Sequence, residues 1–155
     1  MEGFQRYTFS DAIRSVLKQA VREAALLQHD YLGTGHILLA LLREEGGPAA
    51  RVLTALKVDR DSARARTLET LLPGNQTEPM GERPYTTRAR RVLESAMASA
   101  DEFMESGVDT DNLLIGLVSV EECLAARTLA QAGATAAAVR EEARRLRGCG
   151  WTSGM

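Results

Sequence analysis

Long apolar runs, aromatic residues and cysteines are all scarce in this sequence, and each scarcity excludes a class of protein. The longest strongly apolar stretch, residues 37–42, is far shorter than the roughly 20 residues that a helix needs to cross a bilayer. The first six residues do not resemble a signal peptide, so we expect a soluble, cytoplasmic protein with no membrane partner. Two cysteines, Cys123 and Cys149, lack the spacing of a metal site, and we expect free thiols.

The chain also lacks a large excess of charge of either sign. The chain has 19 Lys and Arg against 21 Asp and Glu, a net charge of −2, which argues against a global electrostatic grip on nucleic acid or anionic membrane. With 155 residues, 45% of them hydrophobic, the chain is long enough to bury one ordinary core. We therefore expect one globular domain and, by default, a monomer.

Sequence motifs for common enzymatic chemistry are absent. The sequence contains no phosphate-binding loop, no dinucleotide-binding glycine pattern and no metalloprotease or serine hydrolase motif. His29 and His36 are the only histidines and have no third partner at a metal-ligand spacing. Cys123 lies in a predicted helix among small apolar residues, where a packed free thiol is usual. An enzyme would have to depend on His36 or Cys123, and neither belongs to a catalytic motif. We therefore expect no catalytic site, metal or cofactor.

One segment of the chain occurs twice. The residues after Phe9 recur after Tyr85 at a constant offset of 76, as between Val16 and Val92, without any gap. The matches cluster at apolar positions, which predicts a duplicated unit with pseudo-twofold packing. The identical pairs are Arg14/Arg90, Val16/Val92, Leu17/Leu93, Ala20/Ala96, Ala24/Ala100, Thr34/Thr110, Leu38/Leu114, Leu41/Leu117, Ala49/Ala125, Ala50/Ala126, Arg51/Arg127 and Leu53/Leu129.

Apolar periodicity and capping residues predict four helices in each unit and an all-α fold of eight helices. No segment alternates with period two for long enough to predict a strand. Ser10, Asp59, Thr86 and Thr135 are candidate N-caps, and Pro48 suits a first helical turn. The predicted helices span about 11–28, 35–44, 48–56, 60–72, 87–105, 110–118, 121–132 and 136–147, giving repeat one at 9–72, a linker at 73–84, repeat two at 85–147 and a tail at 148–155.

Two segments carry a family resemblance. Residues 29–53, with Gly33-Thr34-Gly35-His36 followed by the apolar run, and residues 84–94 closely resemble the Clp N-terminal repeat domain, which opens the ClpA, ClpB and ClpC types of AAA+ unfoldase. The resemblance covers about residues 9–147, without the nucleotide-binding modules of an unfoldase, so we expect a free-standing or excised N-domain. It implies a docking platform for protein substrates and adaptors in ATP-dependent proteolysis or protein quality control. Such a platform would act as adaptor or decoy, with a Clp unfoldase or protease among its partners.

The resemblance also implies two kinds of binding site. ClpC-type domains bind phosphoarginine through the Glu of a Gly-Thr-Glu-His motif, with the phosphate near the start of a first helix. Here Gly35 and Asp111 stand at the two Glu positions, so we expect the first site to be lost and the second to involve Asp111, Thr86 and Arg88. The alternative is that Asp111 stabilises the dipole of its own helix.

The second implied site lies between the two first helices, where adaptors and cyclic-peptide antibiotics dock on ClpC-type domains. The matching positions here are Arg14, Tyr85, Arg90 and Glu94. An exposed aromatic residue flanked by charges is typical of an interface hot spot. The alternative is that Tyr85 packs at the start of its helix as a hydrophobic staple.

A nucleic-acid-binding regulator is the competing functional hypothesis. It would use two arginine clusters, Arg88, Arg90 and Arg91 in one and Arg140, Arg144, Arg145 and Arg147 in the other. No helix-turn-helix signature or set of base-stacking aromatics accompanies them. Outside these clusters, we expect Thr34 to cap the central helix and His36 to form a hydrogen bond near the same turn.

Overall fold

Helices make up nearly all the regular structure of the described residues, as the all-α prediction required. The computed structural model describes residues 8–76, 83–103, 105 and 107–148. Eight helices lie within these residues, four in each unit, which confirms the predicted architecture. They are α1 (Asp11–Leu26), α2 (Thr34–Leu41), α3 (Pro48–Ala55), α4 (Arg60–Thr70), α5 (Thr87–Glu102), α6 (Thr110–Ser119), α7 (Leu124–Gln131) and α8 (Ala136–Gly148).

The predicted caps begin their helices through side-chain hydrogen bonds. Ser10 accepts from the Ile13 N–H at 3.1 Å and Thr86 from the Ala89 N–H at 3.0 Å. The Asp59 and Thr135 side chains act in the same way at the starts of α4 and α8. Each such bond satisfies a backbone donor that a helix start leaves without a partner.

Two helix starts differ from prediction. Gly33, not Thr34, is the N-cap of α2, and its N–H donates to His36 Nδ1 at 3.0 Å. Helix α7 begins at Leu124 instead of 121, because Cys123 has extended backbone and its sulfur accepts from the Ala126 N–H at 3.4 Å. Cys123 is therefore a buried capping residue and not part of the helix. Residues 77–82 of the predicted linker and 149–155 of the predicted tail, with Cys149, lie outside the described residues.

A short strand pair, which the sequence did not predict, joins the two repeats. Strand β1 (Thr8–Phe9) runs parallel to β2 (Gly107–Val108), with Phe9 opposite Val108. An isolated bridge pairs Leu32 with Tyr85, and these two positions are the pseudo-twofold equivalents of Val108 and Phe9. The residues just before α1 thus pair with the segment that leads into α6. In the same way, the residues just before α5 pair with the segment that leads into α2.

The central helices α2 and α6 form the middle of the molecule. Every residue of α2 is buried, and α6 is buried from Thr110 to Val118. Helix α1 packs on α2 and α5 on α6, but the third helices also reach the other repeat: α3 contacts α6 and α8, and α7 contacts α2 and α4 in addition to α6 of its own repeat. The two repeats therefore interlock around one shared core.

Candidate docking sites

Three of the predicted docking residues are charged and exposed. Arg14 lies on α1, and its pseudo-twofold equivalent Arg90 lies on α5. Glu94 follows Arg90 by one helical turn on the same side of α5. None of the three has an ion-pair partner within the described part of the chain. Their charged groups are therefore available to another molecule.

Tyr85 combines a structural role with a possible surface role. Its backbone bridges Leu32, and its side chain is half-buried against the core. Burial raises the pKa of the Tyr85 phenol. This packing supports the alternative in which Tyr85 packs at the start of its helix. The accessible part of its side chain belongs to a residue five positions before Arg90.

Thr86 and Arg88 border an opening beside the first repeat, which we call the first recess. Its volume is about 430 Å³. Asp111 is not among the residues that line it, so the structure separates Asp111 from the two residues with which it was grouped. The lining residues are Tyr31, Gly33, Thr34, Gly35, Leu71, Thr86, Thr87, Arg88, Leu124 and Arg127.

Gly35 makes the wall of the first recess apolar. A β-carbon at this position would lie 2.9 Å from Leu71 Cδ1 and 3.1 Å from Leu124 Cδ2. The two leucines thus approach the space where a longer residue would project. No carboxylate lines this recess within the described residues, so a guanidinium group would find no ionic partner there.

Asp111 lies in the equivalent place of the second repeat, which is filled by Phe103, Glu105, Asp111 and Arg147; we call this filled place the second recess. Asp111 Oδ2 is 2.6 Å from Arg147 Nη2. Glu105 accepts two further bonds from the same guanidinium, at 2.9 and 3.0 Å. The guanidinium carbon also lies 3.9 Å from the centre of the Phe103 ring, within reach of a cation–π interaction.

Burial dominates the titration of Asp111. Only 1% of the residue is exposed, and this burial raises the pKa of Asp111 to about 6, although Arg147 acts in the opposite direction. The carboxylate thus has an internal cation on α8, a structural role that differs from the predicted stabilisation of its own helix dipole. Arg147 and Leu71 were missed as site residues. The internal repeat could have identified them, because Gly35 is equivalent to Asp111 and Leu71 is equivalent to Arg147.

The second arginine cluster is largely neutralised. Arg140 and Arg144 approach Glu102, with nitrogen–oxygen distances of 3.1 and 3.9 Å, Arg145 pairs with Glu142, and Arg147 is enclosed as described. In the first cluster Arg91 pairs with Glu122 at 3.3 Å. Only Arg88 and Arg90 in these clusters have no ion-pair partner in the described ranges. A continuous basic surface of the kind that follows a phosphate backbone is not formed.

The two histidines form a buried hydrogen-bonded chain. The Gly33 N–H donates to His36 Nδ1, so the hydrogen of neutral His36 is on Nε2. That Nε2 lies 2.7 Å from His29 Nδ1, and His29 Nε2 then donates to the Leu72 carbonyl at 2.7 Å. Burial lowers the pKa of His36 to about 4, consistent with an acceptor role. Within the described residues no group of three or more His, Cys, Asp or Glu is placed to hold a metal ion.

Two interlocked four-helix repeats around a pair of buried central helices define a class of all-α domain. A family model described as the Clp repeat (R) N-terminal domain matches residues 8–132 and 85–148. The chain belongs to this family. None of the described helices is long and apolar enough to span a membrane.

Individual relatives agree with this assignment. The chain is 36% identical over 140 residues to the negative regulator of genetic competence ClpC/MecB of Bacillus subtilis, covering 90% of this chain but only 17% of that protein. The N-terminal domain of the caseinolytic protease associated chaperone ClpD from Arabidopsis thaliana has the same fold, with a TM-score of 0.70, 22% identity and coverage of 93% and 96%. A ClpV N-domain solved in complex with a VipB peptide gives a TM-score of 0.65 at 13% identity, covering 84% of this chain and 80% of that one.

Proposed function

We propose that this chain is a non-catalytic, cytoplasmic protein-binding module that receives protein substrates or adaptors for ATP-dependent proteolysis or protein quality control. Its exposed, unpaired charges at Arg14, Arg90 and Glu94 beside the half-buried Tyr85 carry the proposal. This combination of an aromatic side chain with charges that need a partner suits a protein interface. The ClpV N-domain solved in complex with a VipB peptide supports a docking role for the fold.

Within this proposal the chain acts as an adaptor, or as a decoy that competes for clients with a Clp unfoldase. A Clp unfoldase or protease and cyclic-peptide antibiotics are candidate partners of the same surface. Phosphoarginine binding at Asp111 would require the incoming guanidinium to displace Arg147, which already lies 2.6 Å from the carboxylate. We therefore expect phosphoarginine to bind weakly and at one site, and Asp111→Ala to abolish that binding.

The test is an affinity pull-down from host lysate with identification of the retained proteins. The surface variant is Arg90→Ala/Glu94→Ala, which leaves the half-buried Tyr85 and the core intact, and Tyr85→Ala is examined separately. Arg144→Ala removes an exposed arginine from α8 and is the control. We expect the surface variant to lose Clp components or clients that the wild type and the control retain. Equal retention by all three proteins would contradict the proposed surface.

A further inference from the structure

Helix α1 carries a basic stripe that has no counterpart in the second repeat. Lys18 and Arg22 are both exposed and lie four residues apart, about one helical turn. Neither has an ion-pair or hydrogen-bond partner in the part of the chain that the structure describes. Like charges at this spacing repel each other, so a bound anion would relieve the repulsion. The equivalent positions in α5 are Glu94 and Ala98.

The stripe borders an open groove between α1 and α2, which we call the basic groove. Its volume is about 330 Å³. Arg43, which follows α2, adds a third cation to the lining. The groove is separate from the docking surface proposed above, because neither Tyr85 nor Arg90 lines it.

A buried carboxylate fixes the position of Arg43. Glu23 is only 2% exposed and accepts from Arg43 Nε at 2.7 Å, from Arg64 Nη2 at 3.3 Å and from Gln19 Nε2 at 3.0 Å. The terminal nitrogens of Arg43 have no partner among the described residues, and half of its side chain is exposed. A guanidinium that is already held in place loses little conformational freedom when it binds a ligand.

Glu44 is the one acidic residue among those that line the groove in the described part of the chain. Its carboxylate is directed to the start of α3, where Oε1 accepts from the Ala50 N–H at 3.2 Å. The positive end of that helix therefore holds the Glu44 charge. Lys18, Arg22 and Arg43 are left as the charges that a ligand in the groove would meet.

We propose that the basic groove binds an acidic segment of a protein partner. The proposal deepens the protein-binding function and rests on it, since it adds a second contact and specifies the charge of the partner. Carboxylates of the segment accept charge-assisted hydrogen bonds from Lys18, Arg22 and Arg43. A nucleic acid suits the groove less well, because the chain has a net charge of −2 and, within the described residues, no aromatic side chain lines the groove to stack on a base.

The size of the groove favours an extended segment over a helix. One turn of a helix about 10 Å across needs about 420 Å³, which exceeds the volume of the groove. Alternate side chains of an extended segment lie about 6.6 Å apart, close to the rise of about 6 Å between Lys18 and Arg22. One turn further along α1, Leu26 is 74% exposed. The expected ligand thus has carboxylates at alternate positions and an apolar residue next to them.

The experiment measures binding of fluorescently labelled peptides to the whole chain by fluorescence anisotropy at low salt. The test peptide is Leu-Ser-Glu-Ser-Glu-Ser-Leu, in which either chain direction places a leucine near Leu26. A second peptide has glutamine in place of glutamate, and a third has serine in place of leucine. We expect the test peptide to bind at least about tenfold more tightly than the glutamine peptide.

Two variants connect this binding to the groove. Lys18→Gln/Arg22→Gln removes the stripe and should weaken the test peptide by about tenfold, whereas Arg66→Gln/Arg144→Gln removes two exposed cations from α4 and α8 and should not. Leu26→Ser should weaken the test peptide but not the peptide without leucine. Arg43 stays unchanged, because it also neutralises Glu23. Thermal melting followed by circular dichroism verifies that each variant folds.

Equal affinity for the glutamate and glutamine peptides, or binding that survives the loss of the stripe, would overturn the assignment. A labelled single-stranded oligonucleotide that binds the groove more tightly than the test peptide would overturn it as well. If no acidic peptide binds while the pull-down still depends on Arg90 and Glu94, the groove assignment is wrong and the proposed function stands. If the peptide follows the stripe but the pull-down shows no partner, the groove assignment stands and the docking surface is wrong.

Discussion

At the scale of single residues, the two repeats differ at one pair of equivalent positions. Gly35 and Asp111 are equivalent in the repeat, yet the first meets Leu71 and Leu124 while the second holds Arg147 at 2.6 Å. A buried ion pair contributes little net stability, but the loss of one partner leaves a desolvated charge. Truncation of Arg147 therefore leaves a buried charge in the second recess, whereas truncation of Leu71 leaves none in the first.

Arg147→Ala should lower the free energy of unfolding by about 3 kcal/mol, because it leaves Asp111 buried without its cation. The double change Asp111→Gly/Arg147→Leu copies the residues of the first repeat and should recover most of this loss. Urea unfolding followed by circular dichroism measures both. A double variant as unstable as the single one would show that the ion pair is irreplaceable in its surroundings.

The buried histidine makes stability depend on pH. The pKa of His36 is about 4 in the folded chain against an ordinary 6.5, so the unfolded chain takes up the proton first. The stabilisation is complete above pH 6.5 and is lost as the pH falls toward 4, by about 3 kcal/mol in total. Asp111, raised from 3.8 to about 6, has the opposite slope and offsets much of this loss in the wild type.

His36→Asn isolates the histidine contribution, because Asn112 performs the equivalent capping role by accepting from the Asp109 N–H at 2.9 Å. The difference in unfolding free energy between the wild type and this variant should shrink on acidification from pH 6.5 to 4. Asp111→Asn, which removes the opposing slope, should become more acid-sensitive than the wild type. Parallel curves for the wild type and His36→Asn would contradict the lowered pKa of His36.

At the scale of elements, the closest helix packing is between α5 and α6. A β-carbon on Gly116 would lie 2.4 Å from the Val92 carbonyl oxygen and 3.1 Å from the Ala96 nitrogen. Both are backbone atoms of α5, which move only if the helices separate. The equivalent position in α2 is Ala40, a buried residue, so the α1–α2 pair accommodates a methyl group that α5–α6 does not.

Gly116→Ala should therefore destabilise the protein by about 1–3 kcal/mol, although alanine favours helix formation. Gly148→Ala is the matched control, since a β-carbon there meets nothing within 4 Å. Chemical denaturation of the two variants measures the difference. A stability gain from Gly116→Ala would show that α5 shifts away from α6 at little cost.

At the scale of the whole molecule, the contacts of the third helices with the opposite repeat make each repeat dependent on the other. Helix α3 packs on α6 and α8, and α7 packs on α2 and α4 in addition to α6. Sequence reasoning predicted the eight helices because the apolar periodicity and the capping residues are local. It missed the strand pair, since two-residue strands show no alternation. It also grouped Thr86 and Arg88 with Asp111, because the crossing of the repeats is a tertiary feature that neither repeat encodes alone.

Separate fragments 8–76 and 83–148 should each have little stable helix, since each lacks half of the shared core. An equimolar mixture should regain a cooperative thermal transition, because the surfaces that the two fragments bury are complementary. Circular dichroism of the fragments alone and mixed measures this. A cooperative transition in either isolated fragment would show that one repeat is a folding unit by itself.

The contacts of α3 with α6 and of α7 with α2 resemble those that two copies of a single repeat would exchange in a symmetric homodimer. In such a dimer every substitution appears in both copies, so one recess cannot acquire an ion pair while its mate stays open. Joining the copies in one chain makes their association independent of concentration. It also lets each copy vary alone, and the divergence of Gly35 from Asp111 and of Leu71 from Arg147 is a consequence of that freedom.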